Sequence, residues 1–227
     1  INANQQVIST TDSHYLLAAV ALFIATSCSS KSGNKVDASD AKEATANVGS
    51  QKLVVDTLAS TVAWKGYKPG GSHHGTLGIK QGELSVENGE LVSGTFTLDM
   101  NKILCEDLTD AKMNEQLVGH LKSADFFDVA KYPEGKFTIT TVEKLNDGVN
   151  SHRISGNLEL KGVSKNITFD ANVTNEGTSY KATTATFTID RTQWGVNYGS
   201  KNIFKDLKDS FINDDMEVTI TIVANAE

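Results

Sequence analysis

This chain is poor in the residue patterns that usually announce a reaction or a metal. It has only two cysteines in 227 residues, far apart, and five histidines with no HxH or HExxH spacing. A metal site needs three or four converging ligands, so no metal and no cofactor is expected, and His73, His74, His120 and His152 read as structural or surface residues. Two prolines leave no room for a Pro-rich linker. Basic residues are outnumbered 21 to 28 and the formal charge is -7. That is the wrong sign for displacing counterions from phosphates, which excludes nucleic acid as a partner. No apolar run reaches the roughly 20 residues of a spanning helix.

What is present begins with the apolar run from Tyr15 to Thr26, which ends in small residues followed by Cys28. Its length suits a secretion signal, although a buried core helix would read the same way. The junction resembles the bacterial lipoprotein cleavage site. That resemblance implies a signal peptide over 1–27, a lipidated Cys28, and an exported protein held to a membrane of the cell envelope, in the periplasm. Residues 28–51 are small and polar, with Val36 and Val48 as the only large apolar side chains. Such a segment buries too little to fold and is expected to be a flexible tether spanning roughly 25 Å. If Cys28 is modified, Cys105 has no partner for an internal disulfide and reads as a small core residue, with a reactive thiol as the alternative.

Beyond Gln51 the hydrophobic period becomes two, the signature of half-buried strands. The stretch LVSGTFTLDM places Val92, Phe96, Leu98 and Met100 on one face. Ile154, Leu158 and Leu160 alternate in the same way, as do Ile167, Phe169, Ala171 and Val173, then Ala185, Phe187 and Ile189, then Val218, Ile220 and Ile222. Turn residues at 81–83, 87–90, 146–148 and 175–177 separate the runs. Strands near 52–57, 60–67, 75–87, 90–100, 136–145, 152–161, 165–174, 180–190 and 216–224 make eight or nine, which implies a sandwich or a closed barrel. Two helical patterns interrupt them. One near 107–130 carries Met113, Leu117 and Leu121 at helical spacing, and a short one near 201–212 carries Ile203, Phe204, Leu207 and Phe211.

Three stretches, HLKSADFFDVAKYPEGKFTITTV, ISGNLELKGVSKNITFDANV and FTIDRTQWGV, stand in an order and spacing that resemble the YceI-like, polyisoprenoid-binding family of exported lipocalin-like proteins. WKGYKPGGSHHGTLGIKQGEL resembles the variant first strand pair of its lipoprotein members. The resemblance covers about 52–224. It implies an all-β fold, an eight-stranded antiparallel lipocalin-like barrel over 52–227 with a helical insertion, around an elongated apolar cavity. On that reading Trp64, Phe96, Leu98, Phe137, Ile139, Ile154, Leu158, Phe169, Phe187 and Ile189 line the cavity, while Arg191, Trp194, Phe126 and Phe127 stand at its mouth. Adjacent residues on a helix lie about 100° apart, so one of Phe126 and Phe127 packs back under the helix while the other plugs the barrel.

Counting by two from Phe187 gives Arg191 interior parity. An unpaired guanidinium in an apolar lumen is costly, so Asp125 or Asp107, or a ligand head group, is expected beside it. The carboxylates Asp99, Glu106, Asp107, Asp110 and Asp125 lack a partner base or nucleophile and read as a solvated face. The expected function is therefore to sequester or carry an isoprenoid or similar lipid, with no catalytic residues and with a homodimer left open. A filled barrel serving as a non-catalytic interaction or stress-related lipoprotein is the alternative, and an enzyme ranks below both.

Overall fold

The computed structural model describes residues 34–44 and 49–226. The expected signal peptide over 1–27, lipidation of Cys28 and part of the tether lie outside the described residues. In chain order the elements are β1 (Asn34–Lys35), β2 (Ser39–Asp40), β3 (Gln51–Val55), β4 (Thr61–Lys68), β5 (Gly71–Glu87), β6 (Glu90–Cys105) and α1 (Ala111–Lys122). There follow β7 (Glu134–Lys144), β8 (His152–Leu160), β9 (Val163–Asn175), β10 (Ser179–Thr184), β11 (Phe187–Asp190), a 3-10 turn over Arg191–Trp194, and β12 (Asp215–Ala226). The fold is all-β with α1 as the single α-helix among the described residues.

The sheet closes on itself. β4 pairs with β5, and the ladder runs through β6, β7, β8, β9, β10 and β12 before β12 returns to β4, every pair antiparallel. β3 pairs with the same two neighbours as β4, β5 and β12, so β3 and β4 are halves of one strand, interrupted at 56–60. The interruption stays tied to the ring. Ser60 Oγ accepts from Val223 N at 2.9 Å, and Asp56 Oδ1 accepts from the backbone N–H groups of Leu58 and Ala59. The strand expected over 180–190 is likewise two strands, with Ala185 exposed at the break. Nine expected runs thus fill eight places.

Alternation sets which face is dry, and bulges reset it. β5 and β6 are 17 and 16 residues long, and shifts in their register at Leu77/Gly78, Ile79/Gln81 and Ser85/Val86 add the local twist a long strand needs to follow a closed sheet. The last shift pairs Val86 with Leu91. Leu91 is consequently buried, whereas Val92, expected on the inner face, is only partly buried. The hairpin between β5 and β6 turns through Asn88 and Gly89 at φ 52° and 82°, the left-handed pair that a two-residue hairpin turn requires.

Residues 34–44 do not hang free as the tether reading expected. β11 pairs with β12 but not with β9, and the segment occupies the seam: β1 pairs with β11 and β2 with β9. Val36 is buried, its N–H donates to Thr188 O at 2.8 Å, and the Lys42 backbone exchanges hydrogen bonds with the Asn157 side chain. Backbone groups exposed along a seam recruit partners, and composition alone does not register that demand.

Asp110 caps α1 by accepting from Met113 N at 2.8 Å. Ser123 ends it, and its carbonyl receives Phe126 N and Asp128 N to form the turn that follows. The second expected helix, near 201–212, is absent. That stretch is a series of turns with Lys208 at φ 47°, because its apolar residues are divided between two surroundings. Ile203 and Phe204 are exposed, while Phe211 and Ile212 are partly buried and line the cavity.

Candidate functional site

The ring encloses a cavity of about 680 Å³, within the roughly 300–1,000 Å³ usual for small-molecule sites. Trp64, Phe96, Leu98, Phe137, Ile139, Ile154, Leu158, Phe169, Phe187 and Ile189 all line it. Four of them form a continuous aromatic row. Ring centroids are 6.2 Å apart from Phe96 to Phe137, 5.8 Å from Phe137 to Phe169, and 5.1 Å from Phe169 to Phe187, the last pair stacked within 5°. Gly156 makes the row possible, since a Cβ there would lie 2.3 Å from Phe137 Cζ.

Sequence reasoning missed part of the wall. Leu77, Ile79 and Leu84 of β5 also line the cavity, but the irregularity between Ile79 and Gln81 breaks a count by two from Ile79 to Leu84. Tyr180 and Ala182 line it as well, on the half-strand that precedes the break at 185–186.

Charge is confined to one end. The lining side chains Lys68, Arg191 and Asp209 and the two histidines His73 and His120 come from strand tips, α1 and the 191–214 connection at the same end of the ring, whereas the Tyr180 hydroxyl meets Asn175 and Gly89 O at the other. α1 contributes Leu117 and Leu121 to this end. Phe126 and Phe127 both line the cavity. Phe126 is buried edge-on to His120, centroids 4.9 Å apart, and lies beside Tyr198 at 5.3 Å, while Phe127 packs against the core.

Arg191 lines the cavity but pairs with neither expected carboxylate. Its guanidinium donates to the carbonyls of Asn213, Val196 and Ile212, and lies 3.5 Å from Asp214. The strand ends at Asp190 and the chain turns at once, so Arg191 reaches the loop that leads into β12. Asp125 instead meets His120 at 3.2 Å, and Asp107 meets His73 at 2.8 Å. Burial lowers the Arg191 pKa against the opposing pull of Asp214 and Asp190, and a guanidinium keeps its charge at neutral pH. Trp194 also departs from expectation. It is fully buried but does not line the cavity, and its indole N–H donates to Leu158 O at 2.8 Å. The 3-10 turn carries it against the β8–β9 hairpin, beyond the reach of strand parity.

A second cluster stands where β5 begins and β6 ends. A ring nitrogen of His73, Cys105 Sγ and a carboxylate oxygen of Asp107 lie within 4.8 Å of one another. Burial alone would push the Asp107 carboxyl up, but the His74 backbone N–H, the His73 ring and the Cys105 thiol hold it well below the usual carboxylate range. The sequence reading treated these three residues separately, as surface histidine, core thiol and solvated acid.

The family model described as the YceI-like domain matches residues 53–224. The chain belongs to the YceI-like family. Protein YceI from Salmonella arizonae and from Salmonella paratyphi B are each 38% identical over 92 residues, 37% of this chain and 46% of the relative. The chain therefore spans about half the length of these curated relatives. Among solved structures, Burkholderia cenocepacia BcnA superposes with a TM-score of 0.58 at 22% identity, over 75% of this chain and 99% of the other. A polyisoprenoid binding domain from Saccharophagus degradans, implicated in plant cell wall breakdown, gives 0.57 at 16% identity, over 77% and 98%. At such identities the two superpositions establish the fold: this YceI-like chain shares their strand-rich architecture.

Proposed function

We propose that this YceI-like protein binds and carries a long apolar molecule, an isoprenoid or similar lipid, with its tail in the cavity and its polar end at the mouth. The observation that carries this reading is the cavity itself, apolar along its depth with all its charges at one end. A ligand with one polar terminus matches that distribution. The polyisoprenoid-binding description of the Saccharophagus neighbour supports the same ligand class. Each buried CH2 contributes about 0.8 kcal/mol, and association costs roughly 4–15 kcal/mol. A tail of about ten carbons therefore only breaks even, and one retained through purification is longer. Attachment at Cys28 would place this carrier at a membrane surface in the cell envelope, where such ligands reside.

The test is organic extraction of the purified full chain followed by mass spectrometry. A copurifying lipid with a long apolar tail is expected, and a lipid-free extract from folded protein after expression in a lipid-replete host would reject the proposal. Leu158→Trp supplies the second arm. The indole would project into open cavity, so lipid should be lost while the melting temperature moves little. Overpacking a solid core would instead cost about 1–3 kcal/mol.

A further inference from the structure

We propose that His73, Cys105 and Asp107 form a binding site for a divalent transition-metal ion of the zinc class, with a fourth coordination position left open. Thiolate, imidazole and carboxylate are each ordinary zinc ligands, and three protein ligands with one open position is a recurrent zinc arrangement. The thiolate favours zinc over the hard cations that carboxylates and carbonyls select.

The geometry is close to what such an ion requires. With Zn–S of about 2.3 Å and Zn–N and Zn–O of about 2.0 Å, tetrahedral ligands stand about 3.3–3.5 Å apart. Here Asp107 Oδ2 is 2.8 Å from His73 Nδ1, and Asp107 Oδ1 is 3.3 Å from Cys105 Sγ. Those two separations would grow by a few tenths of an ångström, but they involve different carboxylate oxygens, so one oxygen, the ring nitrogen and the sulfur, which lie within 4.8 Å of one another, must also draw together around the ion. The hydrogen bonds that now join the three groups are those that metal binding replaces, as the His73 and Cys105 protons leave. His73 and Asp107 are partly exposed, with side-chain exposures of 26% and 20%, so the ion has a path in.

The surroundings are braced as a ligand turn should be. Burial pushes the Cys105 thiol up, helped by the Asp107 carboxylate and opposed by the backbone N–H groups of Leu108 and Asp107, so the ion itself must displace the thiol proton. Asn114 of α1 donates to the carbonyls of Cys105 and Leu108 at 2.9 and 3.0 Å, locking the turn. Asp107 Oδ1 accepts from His74 N at 2.8 Å, and Glu106 N donates to His74 O at 2.9 Å, fixing the two strand ends to each other. Partners of this kind hold metal ligands in place. Because His73 also lines the cavity mouth, the open position is available to water or to an oxygen of a cavity ligand.

The experiment titrates cobalt(II), then zinc(II), into chelator-treated full-length protein carrying Cys28→Ala, so that Cys105 is its sole thiol. One equivalent of cobalt is expected to give a thiolate-to-metal charge-transfer band with strong tetrahedral d–d absorption, and zinc should displace it. Cys105→Ser should abolish the charge-transfer band. His73→Gln should weaken zinc affinity by at least about 10-fold, the lower limit seen even for supporting residues, while His152→Gln, beside Glu90 at the other end of the β5–β6 pair, should leave stoichiometry and spectrum unchanged. Asp107 also holds the turn together, so the cysteine and histidine variants carry the test, with circular dichroism confirming that each is folded. Absence of the band, or a band that survives Cys105→Ser, overturns the proposal.

Discussion

Replacing Arg191 with methionine separates architecture from ligand recognition at the cavity mouth. The side chain is 5% exposed and holds three backbone carbonyls, those of Val196, Ile212 and Asn213, besides facing Asp214. Methionine keeps much of the length and none of the donors. Asp214, 9% exposed, would then be a buried carboxylate without its counter-charge, and breaking such a pair costs about 3–5 kcal/mol. Two features place the expected loss near the lower end. Asn202 still donates to Asp214 Oδ2, and Asn213 is exposed, so its carbonyl can find water. A loss of about 3 kcal/mol in a domain of this size lowers the melting temperature by about 6–12 °C. Calorimetry and urea unfolding measure it directly. Arg191→Lys should recover little, because one ammonium cannot replace a planar fork bonded at several nitrogens. Asp214→Asn combined with Arg191→Met should cost clearly less than the sum of the two single changes. A melting temperature within about 2 °C of the parent, with copurifying lipid lost, would refute this assignment and give Arg191 to the ligand.

Three further outcomes are expected. Val36→Asn should cost about 1.5–3 kcal/mol, the value of burying a valine, if residues 34–44 close the seam, and urea unfolding indistinguishable from the parent would return the segment to a free tether. His152 is buried beside Ser151, and that burial, partly offset by Glu90, holds its pKa below the ordinary 6.5. Its unfolded form takes up a proton first, so its contribution to stability is complete above about pH 6.5 and falls as pH drops through the lowered folded value. Melting curves between pH 7.5 and 5 should show a steeper decline for the parent than for His152→Gln, and parallel curves would contradict it. Cys28→Ala should move the protein from the membrane to the soluble fraction on cell fractionation, since two acyl chains anchor stably; unchanged partition would remove the anchor from the reading.

Much of the wall was legible because side-chain alternation is local. Phe96 and Leu98, Ile154 and Leu158, and Phe187 and Ile189 face the cavity as a count by two requires. Parity misled where the backbone departs from a regular strand. The bulge at Ser85/Val86 exchanges Leu91 for Val92 and the break at 185–186 exposes Ala185; Trp194, placed at the mouth as a neighbour of Arg191, is carried away from the cavity by the 3-10 turn. The helical spacing of Ile203, Phe204, Leu207 and Phe211 was a true pattern with no continuous apolar surface to bury it.

The sequence by itself determined the strand-rich class, most of the dry faces, the position of α1 and the family, because these follow from residue order over short windows. Tertiary structure alone decided that two pairs of half-strands each fill one place in the ring, that polar residues 34–44 close a seam, that Arg191 clasps the 212–214 backbone, and that His73 meets Cys105 and Asp107. Each of those depends on hydrogen-bond demand and charge pairing between residues far apart in the chain. Their partners become known only once the ladder has closed.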